Sequence, residues 1–159
     1  IGKESNWIIN MIYFISLFAF LSDFLTKFLI VSHLELDQSV PVFSGFNLFL
    51  VMNKGISFSF LTAQSHGGVW GLIIMAGLIC LGIIYFIQHE KDPSSKMALA
   101  LILGGALGNI LDRIRYGAVI DFLDFYIGSY HWPAFNLADS FICIGVCFLL
   151  IKIFIKEKK

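Results

Sequence analysis

The sequence predicts an all-α membrane protein: four transmembrane helices with a small extracytoplasmic β-like cradle. Three observations carry that expectation. Of the 159 residues, 58% are hydrophobic and only 14% are charged, whereas a soluble domain carries about 25% charged residues. The mean hydropathy is +0.84. The apolar residues also gather into four runs that approach or exceed the roughly 18–20 residues needed to cross a bilayer core of about 30 Å.

The first span, about 8–31, is too long for a removable signal peptide and lacks a small-residue cleavage site, so it is expected to persist as a membrane helix. The chain opens at Ile1 rather than Met, and its true start is expected to have been trimmed. An outer segment, about 32–68, follows. Within it Val40 to Phe60 alternates apolar positions such as Phe46, Leu48 and Leu50 with Gly45, Asn53 and Gly55, which reads as short strands and turns resting on the bilayer. The second span, about 69–87, carries no charge. The third, about 97–115, runs apolar to Leu111 and then meets Asp112 and Arg113; its Gly104, Gly105 and Gly108 let another helix approach closely. The fourth, about 137–155, holds Lys152 near its end, where the side chain can snorkel. Residues 1–159 are expected to form a single domain. Trp7, Trp70 and Trp132 fall near span ends, where an amphipathic ring sits well.

Orientation follows from the basic residues flanking the spans. Lys3, Lys91, Lys96, Lys152, Lys156, Lys158 and Lys159 lie on one side, and the opposite face holds Lys54, with Arg113 and Arg115 at the mouth of the third span. Both termini are therefore expected in the cytoplasm. Eleven basic residues balance eleven acidic ones, so there is no basic footprint for nucleic acid. Cys80, Cys143 and Cys147 lie within spans and read as small buried apolar residues rather than a disulfide or zinc framework. No Ser or Cys stands in a nucleophile motif, and His33, His66, His89 and His131 lack metal-ligand spacing, so no metal is expected.

Charged groups at membrane depth are costly and by default mark function. Asp23 and Lys27 sit one helical turn apart and can pair, either as a self-neutralising helix end or as a device that orients polar groups. Asn109 and Arg113 share a face of the third span, and the Arg113 fork suits a carboxylate or carbonyl. Asp112 reads as a local partner for Arg113 or Arg115. Asp121 is bracketed by Val119, Ile120 and Phe122, a setting that raises a carboxyl pKa; Asp124 rivals it, and periodicity does not choose between them. Asp139 stands three residues after Asn136, which is also the spacing of a capped helix start. Two carboxylates with opposite biases, one in an apolar pocket and one at a helix head, suit an acid and base division in amide hydrolysis.

At these residues the chain resembles the lipoprotein signal peptidase (type II signal peptidase) family. Gly108 to Arg113 is similar to its GN-x-x-DR block, Val119 to Phe122 to V-x-DF, and Phe135 to Asp139 to FN-x-AD. Asp23 and Lys27 resemble its D-x-x-x-K, and Asn53 to Phe58 its N-x-G-x-A-F, with Phe24 where Gln is common and Ser57 where Ala is. The resemblance implies Asp121 and Asp139 as the catalytic pair. It implies that Asn53, Gly55, Asn109, Arg113 and Asn136 serve the substrate, with Asp23, Lys27 and Asp112 in support. The family further implies a monomeric enzyme of the bacterial inner membrane that needs no cofactor. Its substrate would be a lipid-modified prolipoprotein met in membrane lipid, cut just before a diacylglyceryl-modified Cys, and globomycin would inhibit it. A small proton- or ion-coupled transporter is the rival reading, disfavoured because the acids cluster at outer span ends and no inverted repeat of broken helices is evident. A noncatalytic scaffold is a third, and a presenilin-like protease is disfavoured further by the lack of a G-x-G-D block.

Overall fold

The computed structural model describes residues 3–55 and 66–156. Four helices dominate it: α1 (Lys3–His33), α2 (His66–His89), α3 (Pro93–Tyr116) and α4 (Leu137–Lys156). Each contains a stretch long and apolar enough to cross a membrane, of 27, 23, 24 and 19 residues respectively. They run a few residues past the expected bounds, because polar residues at the ends continue the helical hydrogen-bond ladder into the interface. The ends of α3 have explicit causes. Asp92 accepts the Ser95 N–H at 2.7 Å and Pro93 fills the first turn. Gly117 stops the helix at φ 69°, a left-handed conformation, with its N–H on Arg113 O.

Helix α3 is the centre of the bundle. A third of its span is buried, against 11% for α2 and for α4, and it packs on all three other helices. Its glycines make this possible. A Cβ on Gly104 would lie 2.3 Å from Ser16 O on α1, and one on Gly105 would lie 2.5 Å from Ala138 O on α4. From the other side, Gly145 of α4 meets Ala98 O at a built Cβ distance of 2.7 Å. At the lysine-rich end, Lys152 of α4 reaches across to Asp92 and donates to Ser94 Oγ at 2.8 Å and Ser95 Oγ at 3.0 Å.

The cradle is a four-stranded antiparallel sheet in the order β1 (Ser39–Phe43), β2 (Phe46–Asn53), β3 (Val119–Ile127) and β4 (Tyr130–His131). Alternation revealed the first two strands; the other two come from the segment between α3 and α4, which the sequence analysis left without structure. Strand β3 pairs Val51 with Asp121 and Asn47 with Asp124. Ile30, Leu50, Ile120 and Phe122 form an apolar cluster that seats the sheet on the outer end of α1. Ile56, Ser57 and Phe58 of the second outer motif lie outside the described residues.

Trp7, Trp70 and Trp132 are more than half exposed at the span ends. The cysteines depart from expectation. Cys80 is buried, but Cys143 and Cys147 are exposed on α4, their sulfurs 4.0 Å apart, because a helix apolar all round presents part of its surface to lipid.

The glycine contacts make a direct prediction. Gly104→Ala gains helix propensity yet drives a methyl into Ser16 O, so unfolding stability in detergent should fall by about 1–3 kcal/mol. Gly82→Ala, where a Cβ meets nothing within 4 Å, should leave the thermal unfolding midpoint unchanged or raise it. Equal responses would mean the α1/α3 approach is not tight.

Candidate active site

The site begins with a buried cation. Lys27, only 2% exposed, places Nζ 2.7 Å from Asp23 Oδ2 on its own helix and 2.7 Å from Asp112 Oδ2 on α3. It also donates to Asn109 Oδ1 at 3.1 Å. Both carboxylates have second tasks. Asp23 Oδ1 accepts the Ala138 N–H at 2.9 Å, fixing the head of α4, and Asp112 Oδ2 accepts the Ile120 N–H at 3.1 Å, fixing β3. The small size of Gly108 matters here, since a Cβ there would lie 2.4 Å from Asp23 Oδ2. Asp112 thus bonds Lys27 and β3, with Arg113 only within electrostatic reach; the Arg115 guanidinium stacks over Phe24 and Tyr116.

Asp121 and Asp139 meet around Asn136. Main-chain bonds of Phe135 O to Phe122 N and Leu123 N, and of Phe135 N to Leu123 O, fold the chain after β4 back onto β3. That return sets the fully buried Asn136 beside Asp121. Asn136 Nδ2 donates to Asp121 Oδ1 at 2.7 Å and shares its hydrogens with Ile120 O and Asn109 Oδ1, both at 3.2 Å. Asn136 Oδ1 accepts the Asp139 N–H at 2.9 Å, and Asp139 Oδ2 accepts the Asn136 N–H at 3.3 Å. This is the reciprocal helix cap that the spacing suggested. The other Asp139 oxygen does different work, accepting from Asn109 Nδ2 at 2.8 Å.

The two acids sit in unlike surroundings. Asp121 is 2% exposed, between buried Val119, Ile120 and Phe122. Burial pushes its carboxyl from 3.8 up to about 6; the Asn53 and Asn136 hydrogen bonds and the Lys27 charge oppose that rise, and the Asp139 charge adds to it. Asp139 is half-buried. Asn53, on the exposed rim, donates Nδ2 to Asp121 Oδ2 at 2.8 Å, while its Oδ1 accepts the Gly55 N–H at 2.9 Å. Gly55 has φ +98° and a built Cβ would lie 3.0 Å from Leu72 Cδ1, so its conformation requires glycine. Arg113 bonds Asn109 O at 3.2 Å on its own helix and lies within electrostatic reach of Asp139, Asp112 and Asp121.

Asp124 is separated from this site. Three residues on from Asp121 along a strand, it faces the other side of the sheet. There Asn47 Nδ2 donates to it at 2.8 Å and His131 Nδ1 lies 2.9 and 3.0 Å from its two oxygens. Burial pushes its carboxyl up, but the Asn47 and His131 bonds and the His131 charge outweigh that and hold it below the usual value. This cluster, like the Lys27 to Asp112 bond, is not legible in the sequence, because the partners come from distant segments. Among the described residues no group of three or more His, Cys, Asp or Glu could hold a metal ion.

The family model described as Signal peptidase (SPase) II matches residues 15–155. A lipoprotein signal peptidase of Syntrophus aciditrophicus is 46% identical over 146 residues, covering 87% of this chain and 89% of that one. The lipoprotein signal peptidase of Halalkalibacterium halodurans is 42% identical, covering 94% and 96%. A solved structure titled as a bacterial membrane enzyme superposes with a TM-score of 0.83 at 28% identity, covering 94% of this chain and 90% of that one.

The raised Asp121 carboxyl predicts a pH signature. A folded-state value above the unfolded one means the fold binds the extra proton between about pH 4 and 6. The stability this confers is complete below that window and lost as pH rises through it. Asp121→Asn removes the titration. Wild-type minus variant unfolding free energy should therefore fall by about 2–3 kcal/mol between about pH 4 and pH 7, then level off. Thermal unfolding in detergent across that range checks it, and a difference that is flat or rises with pH contradicts the assignment.

Proposed function

The chain belongs to the signal peptidase (SPase) II family, and from that premise we propose an aspartic endopeptidase acting on diacylglyceryl-modified bacterial prolipoproteins. It is a membrane protease that cleaves signal peptides from lipoproteins; the finer reading is that it cuts just before the lipid-modified Cys, with Asp121 and Asp139 as its catalytic pair. The observation that carries this reading is the single Asn136 side chain, which touches Asp121 with one end and the head of Asp139's helix with the other.

Two carboxylates so linked can share one proton and polarise a water between them. Asp121, with its carboxyl held near 6, carries the shared proton. Asp139, whose oxygens face the N–H donors of Asn109 and Asn136, acts as the base. The water loses a proton to Asp139 and its oxygen adds to the scissile carbonyl carbon, while Asp121 protonates the carbonyl oxygen. The resulting diol collapses: the C–N bond breaks, the proton from Asp139 passes to the departing amine of the Cys, and the new carboxyl returns its proton to the pair. Asn53 and Arg113, at the rim, bind the substrate backbone, and Gly55 lets that backbone pass close. Asn109 and Asn136 hold the two acids in register, and Asp23, Lys27 and Asp112 hold the asparagines.

By this mechanism Asp121→Asn and Asp139→Asn each abolish cleavage of a diacylglyceryl-modified prolipoprotein by purified enzyme, and the double variant is scarcely worse than either single one. Asp124→Asn, on the other face of the sheet, retains substantial activity. Asn caps helices as well as Asp does, so a purely capping Asp139 loses little when replaced. Appreciable turnover by a folded Asp139→Asn enzyme therefore sinks the two-acid mechanism.

The lysine-rich ends of the bundle lie in the cytoplasm and the sheet outside it. In a background without the three native cysteines, Ser129→Cys should react with an impermeant thiol reagent added to intact cells, and Ser94→Cys only after lysis. The reverse pattern inverts the topology.

A further inference from the structure

A long groove runs between α1 and α2 with α3 as its floor, a cavity of about 890 Å³ that no step of the proteolytic reading uses. Its walls are mainly aliphatic and aromatic, among them Ile12, Leu17, Leu103 and Leu107, with Ser16 of α1 on one wall and Lys96 of α3 and Gln88 of α2 at one end. Among the described residues Lys27 and Lys152 each meet a carboxylate, whereas Lys96 has none within ion-pair distance. On α1 the lining runs from Ile9 to Phe20, on α2 from Ile84 to Gln88 and on α3 from Lys96 to Ile114. The groove is therefore three-sided only over its lysine-rich part.

We propose that this groove is a binding site for an anionic phospholipid of the leaflet at the lysine-rich end, its acyl chains along Leu103 and Leu107 and its phosphate at Lys96 and Gln88. The charge pattern selects the occupant. An apolar body that ends at an amide N–H donor and at an ammonium with no carboxylate partner among the described residues complements an amphiphile with a negative head. A signal peptide fits poorly, since its own charged end is positive and would abut Lys96. On the orientation argued above this is the cytoplasmic leaflet, remote from the two acids, although the binding itself depends on neither the orientation nor the protease reading.

The test reads lipid rather than cleavage, so its failure and that of the protease reading are distinguishable. Purified protein is titrated with phosphatidylglycerol or phosphatidylcholine and the retained lipid counted by native mass spectrometry. Wild type should hold phosphatidylglycerol about fivefold more tightly, the worth of one lysine near an anionic headgroup. Lys96→Gln should abolish that preference and Lys96→Arg keep it, with unchanged thermal unfolding in both. Leu107→Trp, which fills the groove, should weaken retention of both lipids. A photoreactive residue at position 103 should form adducts with phospholipid in membranes. Equal retention of the two lipids by wild type, an unaltered preference in Lys96→Gln, or adducts with prolipoprotein instead would overturn the proposal.

Discussion

The outer end of this bundle is organised around the burial of one ammonium group. Removing Lys27 from water costs several kcal/mol, which is recovered only if its donors and charge are fully met. Asp23, Asp112 and the oxygen of Asn109 meet them. The demand then propagates through amide chemistry. An Asn side chain has one accepting and one donating end; with the Asn109 oxygen turned to Lys27, its NH2 must point the other way, to Asp139. The same oxygen takes a hydrogen from Asn136, whose NH2 is thereby aimed at Asp121 and whose oxygen is aimed at the Asp139 N–H. The orientation of both asparagines, and through them of both acids, follows from where one lysine sits.

This arrangement works against stability locally. A carboxyl among Val119, Ile120 and Phe122 is held by two amide donors in a setting that disfavours its charge, and a packed apolar residue there would suit the fold better. Asp124 is the counterexample within the same strand. It is also buried, but two partners stabilise its charged form, so it behaves as a structural anion. Burial alone does not raise a carboxyl; burial beyond what the donors offset does.

How much of this was legible in the sequence depends on the range of the interaction. The spans were readable because lipid demands long unbroken apolar runs, and the cap from Asn136 to Asp139 because it is local. Strand β3 escaped notice: its two acids break the alternation, and its partner β2 lies two helices earlier in the chain. Asp112 was assigned to neighbouring arginines because nothing in its surroundings reveals Lys27 on another helix. Cys143 and Cys147 were taken as buried because α4 is apolar on every side, and its periodicity does not say which face meets lipid. Between Asp121 and Asp124, strand geometry separates the two faces but does not say which face holds the site; only the resemblance did.

The return of Phe135 onto β3 has a consequence for biogenesis. Asp139 lies C-terminal to every other member of the cluster, and its position requires α3 for Asn109, the folded outer segment for Asn136, and Asp23 to receive the start of α4. A nascent chain whose first three helices have entered the membrane therefore carries Asp121 but not Asp139. On the proposed two-acid mechanism, peptide-cleaving capacity arises only when the final helix docks, and immature or misassembled copies are inert toward the proteins synthesised around them.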